Sequence, residues 1–272
     1  MKISSFAVRA AILNRDNPTE AEQRPTKMKE PVCVIDIPED DNQEYHPSKE
    51  KLYREGRHKP LLRGVLHEIQ FVCWPIYAYL LLKGLHRPKS LFAGWLFLLS
   101  YAICFGSSSQ YHRRKWWSNE AEKFMQRLDY CGIFFIICGS YSVPSLLLLG
   151  ETGKMVLCVM WSGCLYGCWR VLVQNSTSNT VAYIIVGSSL FPWISELLKE
   201  LTDFEAYCAG ISWTLLFIAV LIFSSGKCDL SPNIFGYHEV FHVFISSASI
   251  FTYLCTYSII RRYESQPTLI LS

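Results

Sequence analysis

The sequence has no C-x-x-C pair, although it carries eleven cysteines, at positions 33, 73, 104, 131, 138, 158, 164, 168, 208, 228 and 255. Most lie inside apolar runs, where they read as small hydrophobes. A disulfide framework would place them in the exposed loops of a small secreted chain. The N-terminus lacks the apolar stretch of a signal peptide: Met1 to Asn14 is short, weakly apolar and broken by Arg9. The first long apolar span is therefore expected to act as its own insertion signal. Charge is sparse, with Asp, Glu, Lys and Arg at 18% and a net of +3. The basic residues border hydrophobic runs and form no face with interleaved aromatics, so no nucleic-acid partner is expected. No internal repeat and no second soluble domain is found.

What the chain has is hydrophobic length. Half of its 272 residues are apolar, more than an ordinary soluble domain of this size carries once their runs are considered. Residues 1–58 are polar, rich in Pro, Glu, Asp and Lys, and without period, which predicts a disordered tail. Apolar spans then recur at 66–85, 90–111, 128–149, 155–173, 180–198, 206–224 and 236–260, each long enough to cross a bilayer. The fifth is interrupted by Pro192, which a span tolerates where neighbouring helices satisfy the freed carbonyl. The expected fold is all-α, an integral membrane bundle of seven transmembrane helices over residues 59–262, with a short polar tail at 263–272. Lys and Arg in the flanks divide eleven to seven in favour of the side holding the N-terminus. That places the N-terminus in the cytoplasm and the C-terminus outside or in a lumen.

The histidines carry the chemistry. His112 ends the second span, and His238 and His242 begin the seventh. With alternating spans those two ends share one side of the membrane, and Asp129, at the start of the third span, joins them. His238 and His242 are four apart, so on a helix they project from one face about 5–6 Å apart, a spacing that suits two ligands of one ion. Ser108 stands four before His112 and faces the same way. Ionisable groups inside spans are expensive and point to function. The bland alternative is a set of interfacial histidines bonded to carbonyls, which serves for one histidine better than for three converging ones. His238-Glu239-Val240-Phe241-His242 also matches H-E-x-x-H, the string that supplies two zinc ligands and a glutamate base in metalloproteases. Glu239 is rotated about 100° from His238 on a helix and need not face the same ion. His67 and Glu68 lie on the same side of the first span, where helix packing is the preferred reading over a supporting role at the site.

Four segments together resemble a known family. Leu61-Leu62-Arg63-Gly64-Val65-Leu66-His67-Glu68 opens the first span. Ser108-Ser109-Gln110-Tyr111-His112-Arg113 closes the second. Arg127-Leu128-Asp129-Tyr130-Cys131-Gly132-Ile133-Phe134 opens the third, and Phe235-Gly236-Tyr237-His238-Glu239-Val240-Phe241-His242 opens the last. In order and spacing they are similar to the hemolysin III-related family, which includes the progestin and adipoQ receptors, over residues 60–260. Tyr130 and Thr252 depart from the pattern, standing where many relatives have histidine. The resemblance implies a zinc ion near the cytoplasmic leaflet with His112, His238 and His242 as ligands. Asp129 would hold or activate a water on the zinc, and Ser108 would support that water or a substrate carbonyl. Glutamine often fills the position of Glu239 in receptor relatives, which counts against Glu239 as a base. The wider superfamily includes alkaline ceramidases, so the function implied is zinc-dependent hydrolysis of a lipid amide. A seven-helix receptor with a structural zinc and a hydrophobic or protein ligand is the alternative, and an intramembrane protease or a pore ranks below both. The partners expected are a membrane lipid, a sphingolipid or a steroid, and a cytosolic protein for the N-terminal tail.

Overall fold

The computed structural model describes residues 59–176 and 179–267. The expected disordered tail at 1–58, and any partner of it, lie outside the described residues. Seven helices long and apolar enough to cross a membrane make up the fold: α1 Val65–Leu82, α2 Pro88–Arg113, α3 Asn119–Leu147, α4 Gly150–Leu172, α5 Thr180–Glu200, α6 Asp203–Ser225 and α7 Tyr237–Ser265. No strand occurs among the described residues beyond one isolated bridge between Ser231 and Phe235. The protein is an integral membrane helix bundle, as its hydrophobic pattern predicts.

Local chemistry sets the helix ends. Ser118 caps α3 by accepting from the Ala121 N–H at 3.1 Å, and Glu120 and Glu122 sit in the first turn, where the helix dipole favours them. α3 therefore starts at Asn119, well ahead of its apolar stretch, and Asp129 lies three turns in instead of at the helix start. Hydropathy marks where a helix meets lipid, not where it begins. Thr202 and Glu205 form a reciprocal capping box at the start of α6, and Gly226 ends that helix in the left-handed conformation, φ 58°. Two helices are broken. α1 restarts at Trp74 just before Pro75, whose ring removes one helical donor. α5 gives way to a 3₁₀ turn at Phe191–Trp193 around Pro192.

α2 and α3 form the centre of the bundle and α5 and α6 its lipid-facing flank: 61% of the apolar window of α3 is buried against 17% of that of α6. Without water between lipid-bathed helices, close packing and interhelical hydrogen bonds must hold them. α2 meets α3 through small residues. A Cβ on Gly132 would stand 2.8 Å from the Cys104 Cα, and one on Gly139 would stand 2.4 Å from the Ser100 Cβ. The ten described cysteines are all free and six are buried, in keeping with core filling. α7 closes the bundle by packing on α6 and reaching α1, α2 and α3. That closure brings the ends of α2 and α7 together. At the opposite end, Glu205 is fully buried and accepts from Arg262 at 2.8 Å and Ser258 at 2.9 Å. His86 is also at that end, its N–H on Glu264 at 2.7 Å, away from the other described histidines.

Candidate metal centre

The last turns of α2 and the first turns of α7 bring three imidazoles into one buried cluster. His112, His238 and His242 are each at most 7% exposed, and one ring nitrogen from each lies within 4.8 Å of the other two. His112 Nε2 and His238 Nε2 are 3.2 Å apart. Two nitrogens on a tetrahedral zinc at 2.0–2.1 Å would be separated by roughly 3.3 Å, so this pair already stands at ligand spacing. The donor set fits a zinc-type ion: three imidazoles, dry surroundings and no competing thiolate in the cluster.

Asp129 stands beside this cluster without being one of its three donors. Its Oδ2 is 3.5 Å from His112 Nε2 and its side chain is 16% exposed. Ser108, one turn before His112 on α2, interacts with Asp129 and places its Oγ 2.8 Å from His67 Nδ1. The five residues singled out from the sequence, Ser108, His112, Asp129, His238 and His242, thus meet at one end of the bundle.

Two further residues belong to this end. His67 is 4% exposed and stacks on His242 with ring centroids 3.7 Å apart and planes 10° from parallel. Packing was the reading its sequence context favoured; it does pack, but against a histidine of the cluster. The only signal in the sequence was a histidine on the metal side of an apolar span. Arg63 is 3% exposed and pairs with Glu239, which is 1% exposed. Glu239 also accepts from the Gly236 N–H at 2.7 Å. Both of its oxygens are engaged in tying the start of α7 to the strand of chain before α1. This leaves the H-E-x-x-H string without a free glutamate base. Glu68 instead turns outward, half exposed, to Arg113 at 2.9 Å, and Thr252 bonds Ser212 at 2.7 Å on the α6 side of α7.

A short strap covers the cluster. Leu61 and Leu62 donate to the carbonyls of Asn233 and Ile234 at 3.0 and 3.2 Å. Gly64 then turns the chain into α1 with φ +79°, and a Cβ there would lie 2.5 Å from the Cβ of His112. Both the left-handed backbone and the contact require glycine. Gly64→Ala is expected to push the His112 side of the cluster out of register, weakening metal binding measured by chelator competition while the helices still assemble.

Below the cluster a polar seam runs between α1, α2 and α7. Gln70 donates to the Ser246 carbonyl at 3.4 Å and accepts from Tyr101, and Tyr101 is 3.2 Å from Ser249 Oγ. The eleven residues from His112 back to Tyr101 put the foot of this seam roughly 16 Å along α2 from the metal end. There it meets a ring cluster of Tyr77, Phe97 and Tyr253.

A family model described as haemolysin-III related matches residues 55–253, a stretch that holds every residue of the candidate site. The chain belongs to the haemolysin-III related family. Among curated members, Hemolysin-3 of Bacillus cereus is 26% identical over 142 residues, which is 50% of this chain and 61% of that protein. The chain thus aligns with about three fifths of that relative's length.

Proposed function

We propose that this chain is a zinc-dependent hydrolase of amide-linked lipids, acting where the polar linkage of a lipid meets the cytoplasmic leaflet. The observation that carries the reading is the pairing of three buried imidazoles with a carboxylate 3.5 Å from one ligand nitrogen and outside the ligand set. Three protein donors with a fourth position open is the pattern of hydrolytic zinc. When bound, Zn²⁺ supplies a Lewis acid for a carbonyl and lowers the pKa of a coordinated water toward about 7. Asp129 accepts the proton of the attacking water and delivers it to the leaving amine nitrogen as the C–N bond breaks. Ser108 donates its hydroxyl to the carbonyl oxygen as negative charge develops there. The polar seam between α1, α2 and α7 receives the hydroxyls of a sphingoid-type substrate, and the ring cluster below it meets the acyl chain. The eleven-to-seven balance of basic residues supports a cytoplasmic position for this end.

The test is fatty-acid release from an N-acyl sphingoid lipid in mixed micelles by purified, zinc-loaded protein. Asp129→Asn is expected to keep its zinc and lose about 10²- to 10⁴-fold in rate, the range of general acid–base catalysis. Wild type that holds zinc and cleaves no lipid amide would favour the second reading, a receptor whose zinc clamps α2 to α7. What supports that reading is the ligand set itself, which joins the second helix to the last.

A further inference from the structure

We infer that His67 is a positioning residue: as an Nδ1–H donor it fixes the Ser108 hydroxyl as a donor toward the metal end, while its ring face holds the plane of His242. The inference rests on the metal-centre reading above and assigns it a residue outside the three ligands, Asp129 and Ser108.

The direction of the hydrogen bonds follows from what each group can do. His67 Nε2 is buried and has no hydrogen-bond partner, and a buried N–H left without an acceptor is rarer than a bare lone pair. The neutral ring therefore carries its proton on Nδ1, which faces the Ser108 Oγ at 2.8 Å and donates to it. The Ser108 oxygen accepts from His67, and its own proton is left free to give. In the opposite tautomer Ser108 would donate to His67 and could offer Asp129, or a substrate carbonyl oxygen, only a lone pair. The tautomer of one histidine on α1 thus decides whether Ser108 is a donor or an acceptor toward the centre.

The ring is held so that only small motions are open to it. Phe105 meets it edge-on at 4.9 Å and 87°, and His242 covers a face at 3.7 Å. A histidine that binds a metal works only with its ring plane held, and the stack from His67 holds the plane of His242, whose Nδ1 has no hydrogen-bond partner. His67 therefore reaches the centre by two routes, through Ser108 and through the plane of His242.

The two routes separate experimentally on the intact, detergent-purified chain loaded with Co²⁺, whose visible ligand-field bands report coordination geometry. Affinity is read by chelator competition, and folding by size exclusion and thermal unfolding of the metal-free variants. His67→Phe keeps a stacking ring and loses the donor. His67→Asn keeps an amide N–H near the Nδ1 position and loses the ring face. Each is expected to weaken Co²⁺ binding, by about 10- to 100-fold for groups that orient ligands, and to shift the bands differently. Ser108→Ala is expected to reproduce the Phe bands, and His67→Phe/Ser108→Ala to be no worse than either single change, because the two share one interaction. His67→Phe with wild-type affinity and bands, or additive losses in the double variant, would overturn the inference and leave His67 as packing. A folded wild type that takes no Co²⁺ would instead overturn the metal-centre reading itself, and the role of His67 with it.

Discussion

Replacing His238 and His242 together by alanine should reduce bound zinc from one per chain to none while the bundle stays assembled. Two of the three donors disappear, and both lie on one face of the first turns of α7. What remains is His112 with Asp129 nearby, too few donors in a dry site to retain an ion against a chelator. The helices should survive. The cores formed by Phe97, Leu98 and Ile259, and by Phe134, Met160 and Val171, lie elsewhere in the bundle. Metal content by mass spectrometry, with wild type alongside, reads the outcome. Stoichiometric zinc in the double variant, or none in folded wild type, would sink both the hydrolase and the clamp.

Arg63→Ala should be the most damaging single change to stability at this end. It removes one partner of an ion pair whose side chains are 3% and 1% exposed. Glu239 would then keep the Gly236 N–H but lose its nearest counter-charge, Arg63, in surroundings that solvate it poorly. Breaking a buried pair in this way costs about 3–5 kcal/mol, whereas replacing both partners by uncharged groups of similar volume is often close to neutral. Arg63→Met/Glu239→Gln is accordingly expected to recover most of the loss, since glutamine can still accept from Gly236. Unfolding in detergent at rising denaturant measures both. A loss within about 0.5 kcal/mol for Arg63→Ala would mean that the pair behaves as a surface contact.

The contrast between these residues shows how much of the site was legible. His112, His238 and His242 could be assembled without a structure because two facts sufficed: the alternation of spans puts the end of the second and the start of the seventh on one side, and a spacing of four puts two histidines on one helical face. Glu239 could not be assigned in the same way. Its sequence context spells a protease base, yet its carboxylate is spent on Arg63 and on the N–H of Gly236, the residue that caps its own helix. That outcome depends on the strap before α1 crossing the α6–α7 loop, a contact between segments some 170 residues apart in sequence. Asp129 was placed on the right side, but it lies three turns into its helix instead of at the start, since Ser118 and two glutamates extend α3 beyond its apolar stretch.

By itself the sequence determined the number of spans, because burial in lipid requires long runs of apolar side chains. It also determined which ends of the helices share a side, because parity leaves no freedom there. The tertiary structure decided which face of α1 meets α7, and hence that His67 lies against the His242 ring while its neighbour Glu68 turns out to Arg113. Helical period fixes the angle between two adjacent residues but not the rotation of the whole helix. That rotation is chosen by packing: by Gly64 fitting against His112, by Gln70 reaching Ser246 and Tyr101, and by the small residues that let α2 and α3 approach.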